Sequence, residues 1–157
     1  MSSTTAIDSA FFSEIRTPTS FFILRHGETT ANAESRIQGR SEYSLNDNGR
    51  AQALNLASYL GGKNIRRLFH SPLARATETA AIVADGVGTV RPELEPSLVE
   101  LDTGRFTALT WKEIEARYPE EYKSFSYQSW AAVPDAESVD ARSEERRVGK
   151  ECSSRWS

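Results

Sequence analysis

Apolar residues fall in short blocks separated by turn-forming clusters, and the period within each block predicts alternating strands and helices. Residues 20–25 carry the run Phe21-Phe22-Ile23-Leu24 with no period-2 alternation, the pattern of a strand buried on both faces. Leu45-Asn46-Asp47-Asn48-Gly49 is turn-like and offers Asn or Asp as a cap for a helix over about 49–60. Its buried stripe would be Leu54, Ala57 and Leu60, flanked by Ala53 and Leu56, and Gly61-Gly62 would stop it.

Residues 65–69 predict a second strand and residues 73–84 a second helix, with Ile82, Val83 and the stretch 76–80 facing a sheet. A short third strand is expected at 89–91, and residues 94–100 lead into a loop. Thr110 followed three residues later by Glu113 is a capping-box signature for a helix over 110–118, ended by Pro119 and followed by a short helix over 120–125. Strands alternating with helices predict an α/β fold, and 157 residues fit one domain.

Charge and composition narrow the function. The net charge of −3 is spread without basic clustering, which argues against a nucleic-acid partner. No apolar run approaches a membrane span, and the first twenty residues, rich in Ser and Thr, lack the basic start and apolar core of a secretory signal, so a cytoplasmic protein is expected. The single cysteine is Cys152, and the two histidines, His26 and His70, follow separate strands without metal-ligand spacing. No metal or cofactor is called for.

The chemistry concentrates in Leu24-Arg25-His26-Gly27-Glu28-Thr29, where a predicted strand end delivers an imidazole and a guanidinium together. A neutral imidazole nitrogen can attack a phosphoryl group to give a covalent phosphohistidine, which water or a second substrate resolves in an easier step. His26 is the candidate nucleophile. Arg25 and Arg75 offer planar donor forks matched to phosphate oxygens. The segment from His26 into Thr29-Thr30-Ala31-Asn32 reads as strand end, turn and helix start, a place where free N–H groups favour anions. His70 precedes Ser71-Pro72 and reads as structural or pocket-rim.

Further along stand Asn32, Ile37-Gln38-Gly39-Arg40, Ser71-Pro72-Leu73-Ala74-Arg75-Ala76-Thr77-Glu78-Thr79-Ala80, and Glu100 ahead of Gly104. In that order the motifs resemble the histidine phosphatase superfamily, with its phosphoglycerate mutase-like fold. The resemblance implies a three-layer α/β/α sheet and a phosphate pocket lined by Arg25, Asn32 and Arg75. It implies further that Gln38 and Gly39 lie near the leaving group and that Glu100 protonates the departing alkoxide and then activates water.

The implied substrate is a small phosphorylated metabolite. Mutases of the family show Gly-Trp where this chain has Gly39-Arg40, and Arg-His-Tyr-Gly after the acid where it has Leu101-Asp102-Thr103-Gly104. A phosphomonoester hydrolase is therefore expected ahead of a cofactor-dependent phosphoglycerate mutase.

The end of the chain departs from that pattern. The family completes its pocket with a second histidine on a later strand, lying between the strand that ends in Arg25-His26 and the one before Ser71. Here Pro134-Asp135-Ala136-Glu137-Ser138 resembles the family's Pro-x-Gly-Glu-Ser entry, after which the resemblance stops near residue 141. The eleven residues 142–152 match the in-frame translation of a widely used short-read sequencing adapter. Residues 1–18 are thus expected to be a flexible extension, 19–141 a partial domain with an incomplete sheet, and 142–157 a non-native tail.

Five Lys or Arg and three Asp or Glu fall in 142–157, leaving 14 and 19 in residues 1–141, a net of −5. If the second histidine is lacking, the chain as it stands is a catalytically impaired phosphate-binding fragment, the third reading.

Overall fold

The computed structural model of the protein describes residues 18–138. The expected tail, and all but the last residue of the expected N-terminal extension, lie outside those residues. Local signals at the helix ends account for most of the architecture. Thr29 caps a one-turn helix α1 (Thr30–Ala33), its Oγ1 accepting from the Asn32 N–H at 3.1 Å. Asn46 caps α2 (Asp47–Leu60) by accepting from the Gly49 N–H at 2.8 Å. Strand β1 (Leu68–His70) leads to α3 (Ala74–Val87), which ends on Gly88 in the left-handed conformation at φ 72°.

Strand β2 (Pro92–Leu94) then pairs in parallel with β1, Leu68 opposite Pro92 and His70 opposite Leu94, closing a β-α-β unit. The predicted third strand is therefore shifted from 89–91 to 92–94, and the second, expected over 65–69, is shortened to 68–70. A 3-10 turn at Pro96–Leu98 and another at Gly104–Phe106 carry the chain to α4 (Trp111–Arg117). The expected capping box is present: Thr110 Oγ1 accepts from the Glu113 N–H at 3.2 Å, and Glu113 Oε2 accepts from the Thr110 N–H at 2.8 Å. Pro119 both ends α4 and opens α5 (Pro119–Gln128), because a missing N–H costs nothing at a first helical position. The 3-10 turn Ser129–Ala132 follows.

Two apolar groups hold these elements together. Helices α2 and α3 pack face to face through small side chains, with Ala53, Ala57 and Leu60 buried on one and Ala80, Val83 and Ala84 on the other. A Cβ on Gly86 would stand 2.6 Å from that of Ala57, so the helices touch almost backbone to backbone. Leu54, expected in the buried stripe, is 59% exposed, because this close approach selects the alanine face one residue earlier. The second group is aromatic: Phe106, Ile114 and Val133 are buried beneath Leu109, Tyr118, Tyr122, Phe125 and Trp130.

The larger correction concerns residues 20–25. Among the described residues they join no β-ladder, and Phe21, Phe22, Ile23 and Leu24 are all exposed, Ile23 at 97%. An apolar run becomes a central strand only when neighbours on both sides take its backbone groups. The described sheet has two strands, β1 and β2, and neither supplies that neighbour. The α/β class holds, with a small parallel sheet.

The chain just after His26 is nevertheless fixed, by glycine against glycine. A Cβ on Gly27 would overlap the Gly49 carbonyl oxygen, and one on Gly49 would overlap the Glu28 carbonyl oxygen. The first turn of α2 can therefore lie directly on the backbone that follows the histidine. Gly49→Ala should force the two apart and lower stability by roughly 1–3 kcal/mol, the usual scale of overpacking. Thermal denaturation checks this, and an unchanged midpoint would show that the contact is slack.

Candidate active site

Residues 26–29 leave the apolar run and turn into α1, and the backbone N–H groups of Gly27, Glu28 and Thr29 each have a defined partner. The Gly27 N–H donates to Thr79 Oγ1 at 3.1 Å, and Thr79 in turn donates to the Arg75 carbonyl at 2.7 Å. The Glu28 N–H donates to Gln52 Oε1 at 2.9 Å, while Asn46 Nδ2 donates to Glu28 Oε1 at 2.8 Å. Helices α2 and α3 thus grip the turn from two sides.

The half-buried His26 uses Nδ1 on the carbonyl of Gly27 at 2.7 Å. A carbonyl can only accept, so Nδ1 carries the proton and the neutral ring presents Nε2 with its lone pair. Burial lowers the His26 pKa from its ordinary 6.5; the bond to Gly27 opposes this, the positive charges of Arg75 and Arg25 add to it, and Glu100 opposes it. The net result is a neutral imidazole at pH 7, the form a nucleophile requires.

Arg75 sits in the first turn of α3 and is 3% exposed. Its Nη2 donates to the Gly39 carbonyl at 2.8 Å and its Nη1 to the Ser41 carbonyl at 3.0 Å, holding the loop that follows Gln38. Burial lowers its pKa, and the carboxylates of Glu100 and Glu42 work in the opposite direction. Glu42 also accepts the Ala74 N–H at 2.9 Å, supplying the cap that Leu73 cannot.

Gly39, at φ 50°, lies against Thr103, where a Cβ would overlap the hydroxyl. Gln38 is buried, and its Oε1 accepts from Thr29 Oγ1 at 3.0 Å, so its amide N–H groups are what it can offer a substrate oxygen.

The loop bearing Glu100 is tied down from the other side. Arg40 Nε donates to the Glu100 carbonyl at 2.9 Å, and Arg40 Nη2 pairs with Glu137 Oε2 at 3.1 Å. The Glu137 N–H donates to the Asp102 carbonyl at 2.9 Å, and Thr103 bridges Ala136.

These residues enclose one open cavity of about 230 Å³, lined by His26, Ile37, Gln38, Gly39, Arg75, Glu100, Leu101, Thr103 and Trp130. Five of the seven residues singled out in the sequence line it together. Arg25 and Asn32 do not. Arg25 is exposed and acts on His26 and Arg75 through its charge. The Asn32 Oδ1 accepts from the Thr29 N–H at 3.1 Å, which turns that side chain to the cap of α1.

His70 lies outside the cavity, its Nδ1 donating to the Ser71 carbonyl at 2.9 Å, in keeping with a structural role. Sequence reasoning missed Ile37, Leu101, Thr103 and Trp130. For the last, the only signal was an aromatic residue just before the Pro134 motif. Among the described residues, no group of three His, Cys, Asp or Glu is placed to hold a metal ion, and no helix is long and apolar enough to cross a membrane.

The family model of the histidine phosphatase superfamily (branch 1) matches residues 21–149. "Phosphoglycerate mutase-like protein 4" of Arabidopsis thaliana is 38% identical over 120 residues, covering 76% of this chain and 52% of that protein. "Metal-independent phosphoserine phosphatase" of the same plant is 38% identical over 118 residues, covering 74% of this chain and 50% of that protein.

Among solved structures, a mycobacterial glucosyl-3-phosphoglycerate phosphatase in complex with VO3 aligns with a TM-score of 0.69 at 30% identity, over 83% of this chain and 65% of that one. The chain thus spans about half the length of these curated relatives.

Proposed function

Because the chain belongs to the histidine phosphatase superfamily, we propose that it hydrolyses a small phosphomonoester through a phosphohistidine formed on His26. The observation that carries this reading is the 2.7 Å bond from His26 Nδ1 to the Gly27 carbonyl, which leaves Nε2 available in a cavity that also holds Arg75 and Glu100.

In the first step the Nε2 lone pair attacks phosphorus, the N–P bond forms and the ester P–O bond breaks. Glu100 in its acid form gives its proton to the departing alkoxide, so the alcohol leaves neutral. In the second step the Glu100 carboxylate takes a proton from water as the oxygen attacks phosphorus. The P–N bond breaks, and inorganic phosphate, neutral His26 and protonated Glu100 are returned. Arg75, a buried and positioned donor, is assigned to the non-bridging oxygens, with Arg25 acting there through its charge. Gln38 and Gly39 are placed near the leaving group, while Asn32, turned to the cap of α1, is given no phosphate contact.

The hydrolase reading, ahead of mutase, draws support from Arg40. Its guanidinium is spent on the Glu100 carbonyl and on Glu137.

The test is the leaving-group dependence of Glu100→Gln. With an alkyl phosphate, whose alkoxide needs a proton, turnover should fall about 100-fold or more. With p-nitrophenyl phosphate, whose phenolate leaves unaided, the loss in the phosphorylation step should be several-fold at most. Equal losses on both esters would remove Glu100 from the role of acid.

A further inference from the structure

The cavity has a polar and an apolar lining, and the second has no assigned ligand. Its polar lining includes His26 and Arg75, with the Arg25 charge close enough to act on both. Its apolar lining is Ile37, Leu101 and the half-buried Trp130, and Glu100 lines the same cavity. Ile37 and Trp130 both pack against the buried Phe106 cluster.

Trp130 is held in place by its edge contacts with Phe125 at 5.0 Å and Phe106 at 6.4 Å between ring centroids, so it meets a ligand as a fixed surface. Among the described residues lining the cavity the only cation is Arg75, the imidazole of His26 being neutral. Arg40, the next guanidinium along the loop, is neutralised by Glu137 at 3.1 Å and donates to the Glu100 carbonyl.

From this we infer that Ile37, Leu101 and Trp130 form a leaving-group subsite for an uncharged alcohol that presents an apolar or aromatic face, and that Trp130 is its specificity-determining residue. The inference rests on the phosphate-binding reading of His26 and Arg75.

Physical chemistry separates the possible alcohols. A ring laid on a fixed indole gains contact area and favourable aromatic geometry. A leaving group bearing a carboxylate would stand beside Glu100 with no unpaired cation to meet it, and would lose hydration for no compensating bond. At about 230 Å³ the cavity is smaller than the roughly 300–1,000 Å³ pockets that enclose drug-sized ligands. It suits a phosphate with one ring or short chain attached.

Three non-hydrolysable phosphonates of matched skeleton provide the test, titrated into the full 157-residue chain by calorimetry: ethylphosphonate, 2-phenylethylphosphonate and 2-carboxyethylphosphonate. The phenyl compound should bind about tenfold tighter than the ethyl one, and the carboxyl compound no tighter than the ethyl one. Trp130→Ala should bring the phenyl-to-ethyl ratio towards one, while Trp130→Phe, which preserves both the packing and the aromatic face, should retain most of it.

Equal affinities of the phenyl and ethyl compounds, a preference for the carboxyl compound, or a ratio indifferent to Trp130→Ala would each overturn the subsite. If ethylphosphonate binds and Arg75→Ala abolishes its binding, the phosphate-binding reading stands whatever the ratios are. If no phosphonate binds, both readings fall together.

Discussion

His26→Ala should abolish phosphomonoesterase activity, with a loss of about 10,000-fold or more in kcat/KM, the scale on which a covalent nucleophile is missed. The size follows from the role: without Nε2 there is no phosphoenzyme, and the remaining groups can only position an ester that water attacks directly. The fold should survive the change. His26 is half-buried, and its one hydrogen bond goes to the adjacent residue, so no long-range tie is lost.

The same side chain sets the acid limb of the pH profile. Because its pKa is lowered from 6.5 by burial and by Arg75 and Arg25, kcat/KM should hold as pH falls through 6.5 and decline only at the lower folded-state value. The contribution of His26 to stability has the same sign: it is complete above 6.5 and is lost as pH falls through the folded pKa. Residual activity in His26→Ala near the parent level would mean that the imidazole is not the nucleophile.

Arg75 is the second position where a single change should be severe, because one guanidinium holds the loop and, in the proposed mechanism, the phosphate. Arg75→Lys keeps a charge but replaces a planar fork with a point donor, which cannot reach the Gly39 and Ser41 carbonyls together. A drop of about 100- to 1,000-fold in kcat/KM is expected, the scale found when one charge-stabilising donor is removed. Arg75→Ala should add a stability loss of roughly 1–3 kcal/mol, since the buried Gly39 carbonyl and the part-buried Ser41 carbonyl lose their donor.

Kinetics and thermal denaturation of the two variants separate the effects. The lysine variant should be far more impaired in catalysis than in stability. If it retained full activity, the fork geometry would be irrelevant and Arg75 would be only a structural clamp.

What could be read from the sequence was local. The Asn46 cap and the Gly61-Gly62 stop of α2 and the Thr110–Glu113 capping box of α4 are each set by residues within a turn of one another, and α2, α3 and α4 lie within a few residues of expectation. The cavity residues His26, Gln38, Gly39, Arg75 and Glu100 were legible because two motifs and an acid occur in one order, and the fold then brings them together.

What was not legible depends on partners distant in sequence. The buried face of α2 is Ala53–Ala57 rather than Leu54, because α3 approaches too closely for leucine at that contact. Residues 20–25 have a strand's composition, but composition cannot supply the neighbour that makes a strand. Trp130 reaches the cavity from a 3-10 turn about a hundred residues after His26, held by a cluster of aromatic rings that no local pattern announces.

The most direct measurement is to mix the full chain with a phosphorylated substrate, quench within milliseconds in alkali, and map the phosphoryl group by peptide mass spectrometry. An acid-labile phosphoryl group on the peptide carrying His26, absent when Nε2 is removed by His26→Ala, is the expected result. Substrate consumed with no phosphoryl group on His26, or one found on His70 or on a hydroxyl side chain, would contradict the phosphohistidine mechanism at its first step.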